Sequence, residues 1–318
     1  MIDILGIEPH EVSSDITGYA IGIMGPPGCG KTTLASKVPD SLLLATEPGY
    51  KAIPGVMAID INTWSDVLQV MAQLKKPAAK EKYKTIIIDT LDEFVFLATQ
   101  FIIQKEGVDA LTEIGWGRGY ALLEEALRKV FRQIQQNYGL ILIAHDGRKV
   151  DEEDDKLFYA SLNFNRKVKR IVMGLLDILA YVETRRGEQG SIMHFRDSDR
   201  WEAKSRFEKI VPSCEFSHAG LVKAVADAVA GVATTDKRQS VDFHEAQMED
   251  VNVKQFEEYL VFINELAMSV IEILGDMDPV QEKISKALNG RKLSQANIQD
   301  FYVLKELEVE LEGLKAIK

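Results

Sequence analysis

The stretch Gly25-Pro-Pro-Gly-Cys-Gly-Lys31-Thr32 decides how this sequence is interpreted. It matches the pattern GxxxxGK[ST] at every fixed position. Such a loop wraps phosphates, because its glycines let backbone N–H groups approach an anion without a Cβ clash. The apolar residues 19–24 precede it, and helix-forming residues 32–38 follow it. The sequence therefore predicts a strand, a phosphate-binding loop and a helix whose positive end faces the phosphates.

The side chains of this loop have expected roles. Lys31 would neutralise the β- and γ-phosphates of a nucleotide, and the Thr32 hydroxyl would complete the ligand shell of a magnesium ion. We therefore predict ATP and Mg²⁺ as cofactors. The predicted nucleotide-binding residues are Gly25, Pro26, Pro27, Gly28, Cys29, Gly30, Lys31, Thr32 and Thr33.

A second part of the site is predicted at the end of a buried strand. Thr85-Ile-Ile-Ile-Asp89 is a dense apolar run that ends in a carboxylate. A carboxylate at the end of such a strand, paired with a phosphate loop, holds Mg²⁺ in nucleoside triphosphatases. We therefore expect Asp89 to bind the metal, through water, together with Thr32.

Hydrolysis also needs a group that orients or activates the attacking water. The residue after the strand is Thr90, so an acid for this role must come from elsewhere. Glu47 follows the apolar run Ser41–Ala45, and a strand beside the phosphate-loop strand would aim it at the γ-phosphate. Glu47 is therefore the predicted catalytic base, although a loop glutamate that caps a turn is the structural alternative. Asp92 and Glu93 are the other candidates for the base.

Apolar runs alternate with helical patterns through most of the chain, and this alternation predicts an α/β fold with a mainly parallel sheet flanked by helices. The predicted strands are residues 19–24, 41–45, 56–61, 85–89, 140–144, 178–182 and 192–195. The predicted helices are residues 32–38, 64–74, 91–105, 120–137 and 166–176. Glycine-rich or polar loops are predicted at 106–119 and 147–165.

The chain is predicted to contain two domains. Residues 1–230 would form the nucleotide-binding core, and the small, polar residues 231–252 would form a linker. Residues 253–318 contain apolar positions at helical spacing in three stretches, 253–274, 280–288 and 293–314, which predict a small C-terminal helical domain. Its apolar stripes favour a bundle that packs on itself or on the core, and a module for oligomerisation or partner docking is the alternative.

At these residues the chain resembles the RecA-like P-loop ATPases, and more specifically phage AAA-domain proteins related to Sak-type single-strand annealing recombinases. The motifs that carry the resemblance lie in order within residues 17–225. They are residues 25–32, Thr46-Glu-Pro-Gly49, residues 86–89, Trp116-Gly-Arg-Gly-Tyr120, Leu142-Ile-Ala-His145 and Ala203-Lys-Ser-Arg206. The C-terminal helices lie outside it. The resemblance implies a RecA-like fold and supports Glu47 as the base, since these ATPases carry a glutamate at that place.

The resemblance also implies two kinds of catalytic auxiliary. His145 would be the polar sensor of the γ-phosphate, although these ATPases more often carry glutamine there, and a plain polar strand end is the alternative. Lys204 and Arg206 would reach the phosphate of a neighbouring subunit, because alternate residues of an extended segment point the same way. This implies a homo-oligomer, a ring or a filament, whereas a solvated basic edge is the structural alternative.

DNA binding is a further implication, because RecA-like recombinases bind DNA through two loops. Aromatic side chains mixed with cations suit single strands, since bases stack on rings while cations meet phosphates. The acidic run at 151–155 argues against it and favours a solvated loop. The predicted DNA-binding residues are Trp116, Arg118, Arg148, Lys149, Phe158, Tyr159, Arg166 and Lys167.

The composition indicates where the protein is located and how its net charge is distributed along the chain. The longest apolar runs are far shorter than the roughly 20 residues that span a bilayer, the start shows no secretory signal, and the two cysteines favour a reducing compartment. We therefore expect a protein of the cytosol, that of the host if phage-encoded, and no membrane partner. The net charge is −11, but residues 236–318 hold 10 basic and 17 acidic residues, so most of the excess lies outside the core.

The sequence thus predicts a Mg²⁺-dependent ATPase that acts on single-stranded DNA in phage recombination or replication, with hydrolysis stimulated by that DNA. A single-strand-binding protein or a recombination protein is the expected partner. Two alternatives remain open. One is a hexameric motor or helicase-loader-like ATPase, and the other is an ATP-gated assembly or scaffold protein that does not bind DNA.

Overall fold

The computed structural model describes residues 11–115, 117–150, 158–185, 190–231, 234–235, 253–288, 290–296 and 300–315. At some of these positions, including 148–150 and 158, only the backbone is described. The chain divides into two compact units, Met1–Asp242 and Phe243–Lys318. This division falls inside the range 231–252 predicted as a linker, most of which lies outside the described residues.

The first unit is built on one large, mainly parallel sheet. The parallel strands lie side by side in the order β8-β2-β6-β5-β3-β4, and β9 and β11 continue the sheet in antiparallel pairing beyond β8. The strands are β1 (Val12–Ser13), β2 (Ala20–Gly25), β3 (Ser41–Ala45), β4 (Ala58–Asp60), β5 (Thr85–Asp89), β6 (Gly139–Val150), β7 (Phe158–Leu162), β8 (Ile178–Glu183), β9 (Ile192–His194), β10 (Lys204–Ser205), β11 (Ser213–Glu215) and β12 (Thr234–Thr235).

Helices cover both faces of this sheet. The helices of the first unit are α1 (Lys31–Ala35), α2 (Trp64–Leu74), α3 (Pro77–Lys82), α4 (Leu91–Glu106), α5 (Arg118–Gln135), α6 (Arg166–Leu175) and α7 (His218–Val229). In β5, Ile86 and Ile88 pack into the cluster formed with α2, α4, α5 and α6, whereas Ile87 packs into the opposite cluster with α1 and α7. The strand is buried on both faces, which explains why its sequence is apolar at every position.

The ribbon formed by β6 and β7 corrects the loop predicted at 147–165. Strand β6 continues past His145 to Val150 and pairs in antiparallel register with β7, from Asp146 opposite Leu162 to Val150 opposite Phe158. Ala160 and Leu162 are buried against the core, whereas much of the rest of the ribbon is polar. A ribbon with so few apolar positions carries a weak alternation, and the acidic run at 151–155, which lies outside the described residues, obscured it.

A second correction concerns the neighbours of β3. This strand pairs with β5 and β4, so it is not beside β2, the strand that leads into the phosphate loop. Two strands, β6 and β5, lie between them. Within the predicted linker, Thr234–Thr235 forms β12, which pairs with β1 of the same unit.

The second unit is helical. Its helices are α8 (Val253–Leu274), α9 (Asp278–Ala287) and α10 (Phe301–Lys315). Apolar side chains of the three helices pack into one cluster that includes Ile263, Val280 and Leu307. The stretch 293–314, predicted as one helix, is a short 3₁₀ turn at Leu293–Gln295 followed by α10. Among the described residues, no helix combines the length and the apolar character that a membrane crossing needs.

Candidate nucleotide site

The residues predicted to bind the phosphates and the metal and to act as the base gather at one edge of the sheet, where the parallel strands end. Strand β2 runs into the phosphate loop, and its last residue, Gly25, lies opposite His145 of β6. Asp89 ends β5, and Glu47 follows the end of β3, whose last residue lies opposite Asp89. Because these strands are parallel, residues far apart in the sequence meet around the loop.

The loop needs glycine at two kinds of position. Gly28 and Gly30 have φ angles of 74° and 97°, a left-handed region that side chains disfavour. At Gly25 the requirement is space, because a Cβ there would lie 2.9 Å from the Cβ of Val182 in β8. The glycines that define the motif therefore serve the backbone path and the close packing of β2 against β8.

Lys31 is folded into the loop. Its side chain is buried at 5 % exposure, and its Nζ donates to the carbonyl oxygens of Gly25 at 2.7 Å and Pro26 at 2.9 Å. Cys29, which is half-buried, lies at the edge of this arrangement, with its Sγ 4.0 Å from Nζ. Burial raises the pKa of the Cys29 thiol, and the Lys31 charge opposes that rise. The ammonium group is thus already placed among the atoms that would surround a phosphate.

Thr32 and Asp89 form a pair of oxygen ligands beside Lys31. The Thr32 hydroxyl donates to Asp89 Oδ2 at 2.6 Å, so the two predicted metal ligands already meet at one point. Asp89 is 4 % exposed, and this burial raises the pKa of its carboxyl, whereas the hydrogen bond from Thr32 lowers it. Hard oxygen atoms of this kind, one carboxylate and one hydroxyl, fit Mg²⁺, which takes its remaining ligands from water and phosphate.

Glu47 lies next to this pair in a small network. The hydroxyl of Thr90 donates to Glu47 Oε1 at 2.8 Å, and His145 Nε2 is 3.7 Å from the same oxygen. The Glu47 side chain is 44 % exposed, so part of it is in contact with solvent. Thr46 ties the two strand ends together, since its hydroxyl accepts from the backbone N of Thr90 at 2.7 Å.

The two alternative acids are placed differently. Asp92 Oδ2 accepts the backbone N–H of His145 at 2.9 Å, and burial raises the pKa of the Asp92 carboxyl. It therefore links α4 to β6. Glu93 stands in the first turn of α4, where its backbone N–H donates to the Thr90 hydroxyl at 3.5 Å.

Residues 17–207, more than half of the chain, match a family described as AAA domain. The chain belongs to this family. This match confirms the predicted resemblance to AAA-domain P-loop ATPases, and the structure confirms the predicted α/β fold class with its mainly parallel sheet and the helical region at the C-terminal end. The fold is that of a nucleotide-binding ATPase.

The AAA-domain chain is similar to one curated protein over almost its whole length. This is the SPbeta prophage-derived uncharacterized protein YorG of Bacillus subtilis strain 168, 27 % identical over 331 residues, with 99 % of each chain covered. Among solved structures, the RadB recombinase is 13 % identical with a TM-score of 0.34, covering 64 % of this chain and 90 % of that one. The KaiC-like protein PH0186 of Pyrococcus horikoshii OT3 is 13 % identical with a TM-score of 0.36, covering 66 % and 97 %.

Within this AAA-domain core, Lys204 and Arg206 lie away from the phosphate loop of their own chain. Strand β10 pairs with the first residues of β8, whereas the loop follows the opposite end of the neighbouring β2. Lys204 Nζ donates to the carbonyls of Met173 and, at 2.9 Å, Leu176. The two side chains do point the same way, as their spacing predicts, and they meet the C-terminal end of α6.

Arg206 completes the contacts with that helix end. Its guanidinium donates to the carbonyl of Gly174 at 2.5 Å and to Asp177 Oδ1 at 3.1 Å. Cations at the C-terminus of a helix satisfy its last carbonyls and complement its dipole. The Arg206 side chain is nevertheless 54 % exposed, so part of the guanidinium can be reached from outside the chain.

The predicted DNA-binding residues are only partly described. Trp116 lies outside the described residues, and only the backbone is described at Arg148, Lys149 and Phe158, which lie in the β6–β7 ribbon. Tyr159 donates its hydroxyl to Asp197 at 3.4 Å. Burial, followed by the charge of Asp197, raises the pKa of this hydroxyl to about 12.

The two regions predicted to bind DNA come together at the N-terminal ends of α5 and α6. Lys167 Nζ lies 5.9 Å from the centre of the Tyr120 ring, and a Cβ at Gly117 would be 3.8 Å from the same nitrogen. Arg118 and Arg166 are exposed beside them. Two cavities of about 440 and 470 Å³ open along α6, the first of them between this helix and the β6–β7 ribbon, and they share the lining residues Arg166 and Lys169.

Sequence reasoning missed two residues of the nucleotide site, Thr46 and Thr90. Thr90 was noted only as the neighbour of Asp89 that is not an acid. The sequence did carry a signal for its position, because threonine followed three residues later by Glu93 is typical of a helix N-terminus. Its contact with Glu47 joins residues 43 positions apart, and no local pattern reports such a contact.

Proposed function

We propose that this protein is a Mg²⁺-dependent ATPase with Glu47 as the catalytic base. One observation carries the proposal: the phosphate loop with Lys31, the oxygen pair of Thr32 and Asp89, and the Glu47 carboxylate all lie at one edge of the sheet. A nucleoside triphosphatase needs these three functions around one phosphate. ATP is the proposed nucleotide, in line with the ATPase family.

Each group has a defined task in this proposal. The Lys31 ammonium exchanges its carbonyl partners for the β- and γ-phosphates, and the backbone N–H groups of the loop bind the remaining phosphate oxygens. Thr32 and Asp89 hold Mg²⁺, which supplies neutralisation of the charge that develops on the phosphates. Glu47 accepts a proton of the attacking water, because its partly exposed carboxylate lies beside Thr90, the residue that follows the proposed metal ligand Asp89.

The contacts of Asp92 support Glu47 as the base. One Asp92 oxygen is already committed to the backbone N–H of His145, and the carboxyl is largely buried. His145, 3.7 Å from Glu47, is proposed to sense the γ-phosphate and to connect the site with the ribbon that follows it. In this arrangement Asp92 fixes β6 at His145, while Glu47 contacts the water.

The test is steady-state ATP hydrolysis by the full chain, with nucleotide binding measured alongside. Glu47→Gln should bind ATP with an affinity close to that of the unsubstituted protein and lose turnover by about 10² to 10⁴-fold, the range expected for a general base. Asp92→Asn is the matched control and should keep most of the turnover. Normal turnover in Glu47→Gln together with loss in Asp92→Asn would move the base to Asp92.

Single-stranded DNA is the proposed substrate surface, in phage recombination or replication, and the similarity to a prophage-derived protein supports a phage setting in the host cytosol. The basic end of α6 supports DNA binding, since Lys167 stands over an aromatic ring and Arg166 is exposed. Lys169 and Arg170 are partly neutralised by Glu202 at 2.9 Å and Glu124 at 3.4 Å. Stacking and phosphate contacts together would bind the strand.

The DNA proposal is tested by the salt dependence of single-strand binding. A double variant, Arg166→Ala with Lys167→Ala, should bind more weakly and reduce the slope of log affinity against log salt by about 1.4, because each phosphate contact contributes about 0.7. The control is Lys209→Ala with Lys223→Ala, two exposed lysines that belong neither to α6 nor to the β6–β7 ribbon. If both double variants bind single-stranded DNA as the unsubstituted protein does, the result favours the alternative of an ATP-gated scaffold protein that does not bind DNA.

Oligomerisation is proposed as well, with Arg206 reaching the nucleotide of a neighbouring subunit. The 54 % exposure of its side chain supports this role. Lys204, committed to two carbonyls of α6, is proposed to stabilise that helix and to position the segment that carries Arg206. A hexameric motor would use the same contacts, and movement along DNA would distinguish it from an annealing protein.

A further inference from the structure

Thr90 occupies an unusual position between the metal ligand and the proposed base. It follows Asp89 directly and is only 2 % exposed, while the side chain of Glu47, its partner, is 44 % exposed. The Thr90 hydroxyl donates its one hydrogen to Glu47 Oε1 at 2.8 Å. A fixed, buried donor therefore holds one carboxylate oxygen of a side chain that is only partly exposed.

The backbone around Thr90 fixes the direction of this donor. The backbone N of Thr90 donates to the Thr46 hydroxyl at 2.7 Å, and that hydroxyl donates to the carbonyl of Thr90 at 3.1 Å. The backbone N of Thr46 donates to the carbonyl of Asp89 at 2.8 Å. Threonine is stiff at χ1, so a pinned backbone leaves its hydroxyl little freedom.

The alternative role for Thr90 is to cap α4, and the geometry makes it the weaker one. The hydroxyl accepts from the backbone N of Glu93 at 3.5 Å, a distance at the limit of a hydrogen bond. The bond that the same hydroxyl donates to Glu47 is 0.7 Å shorter. A threonine placed only to cap the helix would not need to aim its hydrogen at a carboxylate.

We propose that Thr90 is a positioning residue, which holds Glu47 Oε1 so that the other carboxylate oxygen orients the attacking water. The inference rests on the proposed function of Glu47. A glutamate side chain has several freely rotating bonds, and a misplacement of about 1 Å at a reacting group can cost about 10²-fold in rate. Fixing one oxygen restricts the carboxylate to the geometry that serves the reaction.

The experiment compares Thr90→Val with Thr90→Ser in the full chain, measuring kcat and KM for ATP. Valine keeps the branched shape and removes the donor, so kcat should fall by about 10- to 100-fold while KM changes less than about threefold. Serine keeps the hydroxyl and should restore most of the lost rate. Thr63→Val removes the capping threonine of α2 outside the nucleotide site and should leave kcat unchanged.

A double variant separates this role from a structural one. In the Glu47→Gln background, Thr90→Val should lower kcat by less than about twofold further, because the base that it positions is already gone. Equal kcat in Thr90→Val and the unsubstituted protein would overturn the inference, as would a full additional loss in the double variant. Loss of kcat in Thr63→Val as large as in Thr90→Val would also overturn it.

These outcomes differ from a failure of the proposed function. If the unsubstituted protein hydrolyses ATP and Glu47→Gln does so equally well, Glu47 is not the base and the role of Thr90 falls with it. If Glu47→Gln is inactive and Thr90→Val is fully active, only the inference about Thr90 fails. Binding of ATP by every variant, measured in parallel, shows that the comparison is made on folded protein.

Discussion

Two lysines at opposite ends of the same sheet make nearly the same contacts. Lys31 donates to two backbone carbonyls of the phosphate loop, and Lys204 donates to two carbonyls at the end of α6. Their surroundings differ. Lys31 lies beside a carboxylate–hydroxyl pair and a loop of glycines, whereas Lys204 lies beside a helix end and another cation, Arg206. The contacts of a lysine alone therefore do not identify a phosphate site.

The surroundings of the two lysines also differ in their effect on the stability of the free protein. At the phosphate-loop edge a carboxylate is buried, its pKa is raised by that burial, and the Lys31 ammonium is bound by two loop carbonyls. Lys204 and Arg206 instead donate to carbonyls at the C-terminal end of α6. We infer that the ligand-binding residues at the loop edge lower the stability of the free protein, whereas the residues at the opposite edge raise it. Substitutions at the two edges should then separate activity from stability.

The largest expected effect is that of Lys31→Ala. Removing the ammonium removes the proposed neutralisation of the β- and γ-phosphates, so turnover should fall by at least about 10³-fold. The free energy of unfolding should change by less than about 1 kcal/mol, because the alanine can leave the loop carbonyls open to water. ATP hydrolysis and urea unfolding, measured on the same preparation, check the expected turnover and the expected free energy of unfolding. Retained turnover would contradict the assignment of the phosphate loop.

Arg206→Ala should give the next largest effect on turnover, about 10-fold or more, if the guanidinium acts on a neighbouring subunit. A mixed preparation of Arg206→Ala and Glu47→Gln should then recover part of the activity, since each chain supplies what the other lacks. The measurement is ATP hydrolysis across mixing ratios. If the activity of the mixture never exceeds the sum of the activities of the two separate variants, Arg206 does not act on a neighbouring subunit and only contacts α6.

At these two edges of the sheet, the sequence predicted the features that depend on residues close together in the chain. It did not predict those that depend on contacts between distant residues. The strands Ser41–Ala45 and Thr85–Asp89 and the helix Trp64–Leu74 agree with the structure to the residue, because dense apolar runs and a regular 3.6-residue period are local signals. The phosphate loop was equally local. The ribbon of β6 and β7 was missed because polar side chains hide its alternation.

The rest depended on contacts between distant residues. That β3 lies beside β5 and not β2 follows from the packing of the whole sheet, and it decides which strand ends adjoin Glu47. The bonds from Lys204 and Arg206 to α6 join residues about 30 positions apart, so the spacing of the two cations showed that they share a face but not what they face. Helix α7 was overlooked, although Ser217 caps its start as such residues commonly do.

Lys204→Met should affect stability more than activity. The methionine keeps much of the aliphatic stem but leaves two carbonyls of α6 without their donor, which should lower the free energy of unfolding by about 1–3 kcal/mol. Turnover per folded molecule should stay within about threefold, provided that ATP and temperature keep the variant folded. Unfolding in urea, followed by circular dichroism, measures the first quantity. An unchanged midpoint would mean that Lys204 does not stabilise the helix end.

The smallest expected effect has the opposite sign and concerns Asp89→Asn. In the metal-free protein, burial raises the pKa of this carboxyl, so keeping it charged at neutral pH costs folding free energy. Asparagine keeps an oxygen that can accept from Thr32 and carries no charge, so the metal-free variant should be more stable than the unsubstituted protein at neutral pH.

The sign follows from linkage. A carboxyl with a raised folded-state pKa binds its proton more tightly in the folded protein, so its contribution to stability decreases as pH rises from the unfolded pKa, 3.8, through the folded one. The gain from Asp89→Asn should therefore be present at pH 7 and shrink as the pH falls toward that range. Thermal unfolding in EDTA at several pH values measures it. A variant less stable than the unsubstituted protein at pH 7 would show that the Asp89 carboxylate stabilises the metal-free protein. The loop edge would then stabilise the free protein, as the opposite edge of the sheet does.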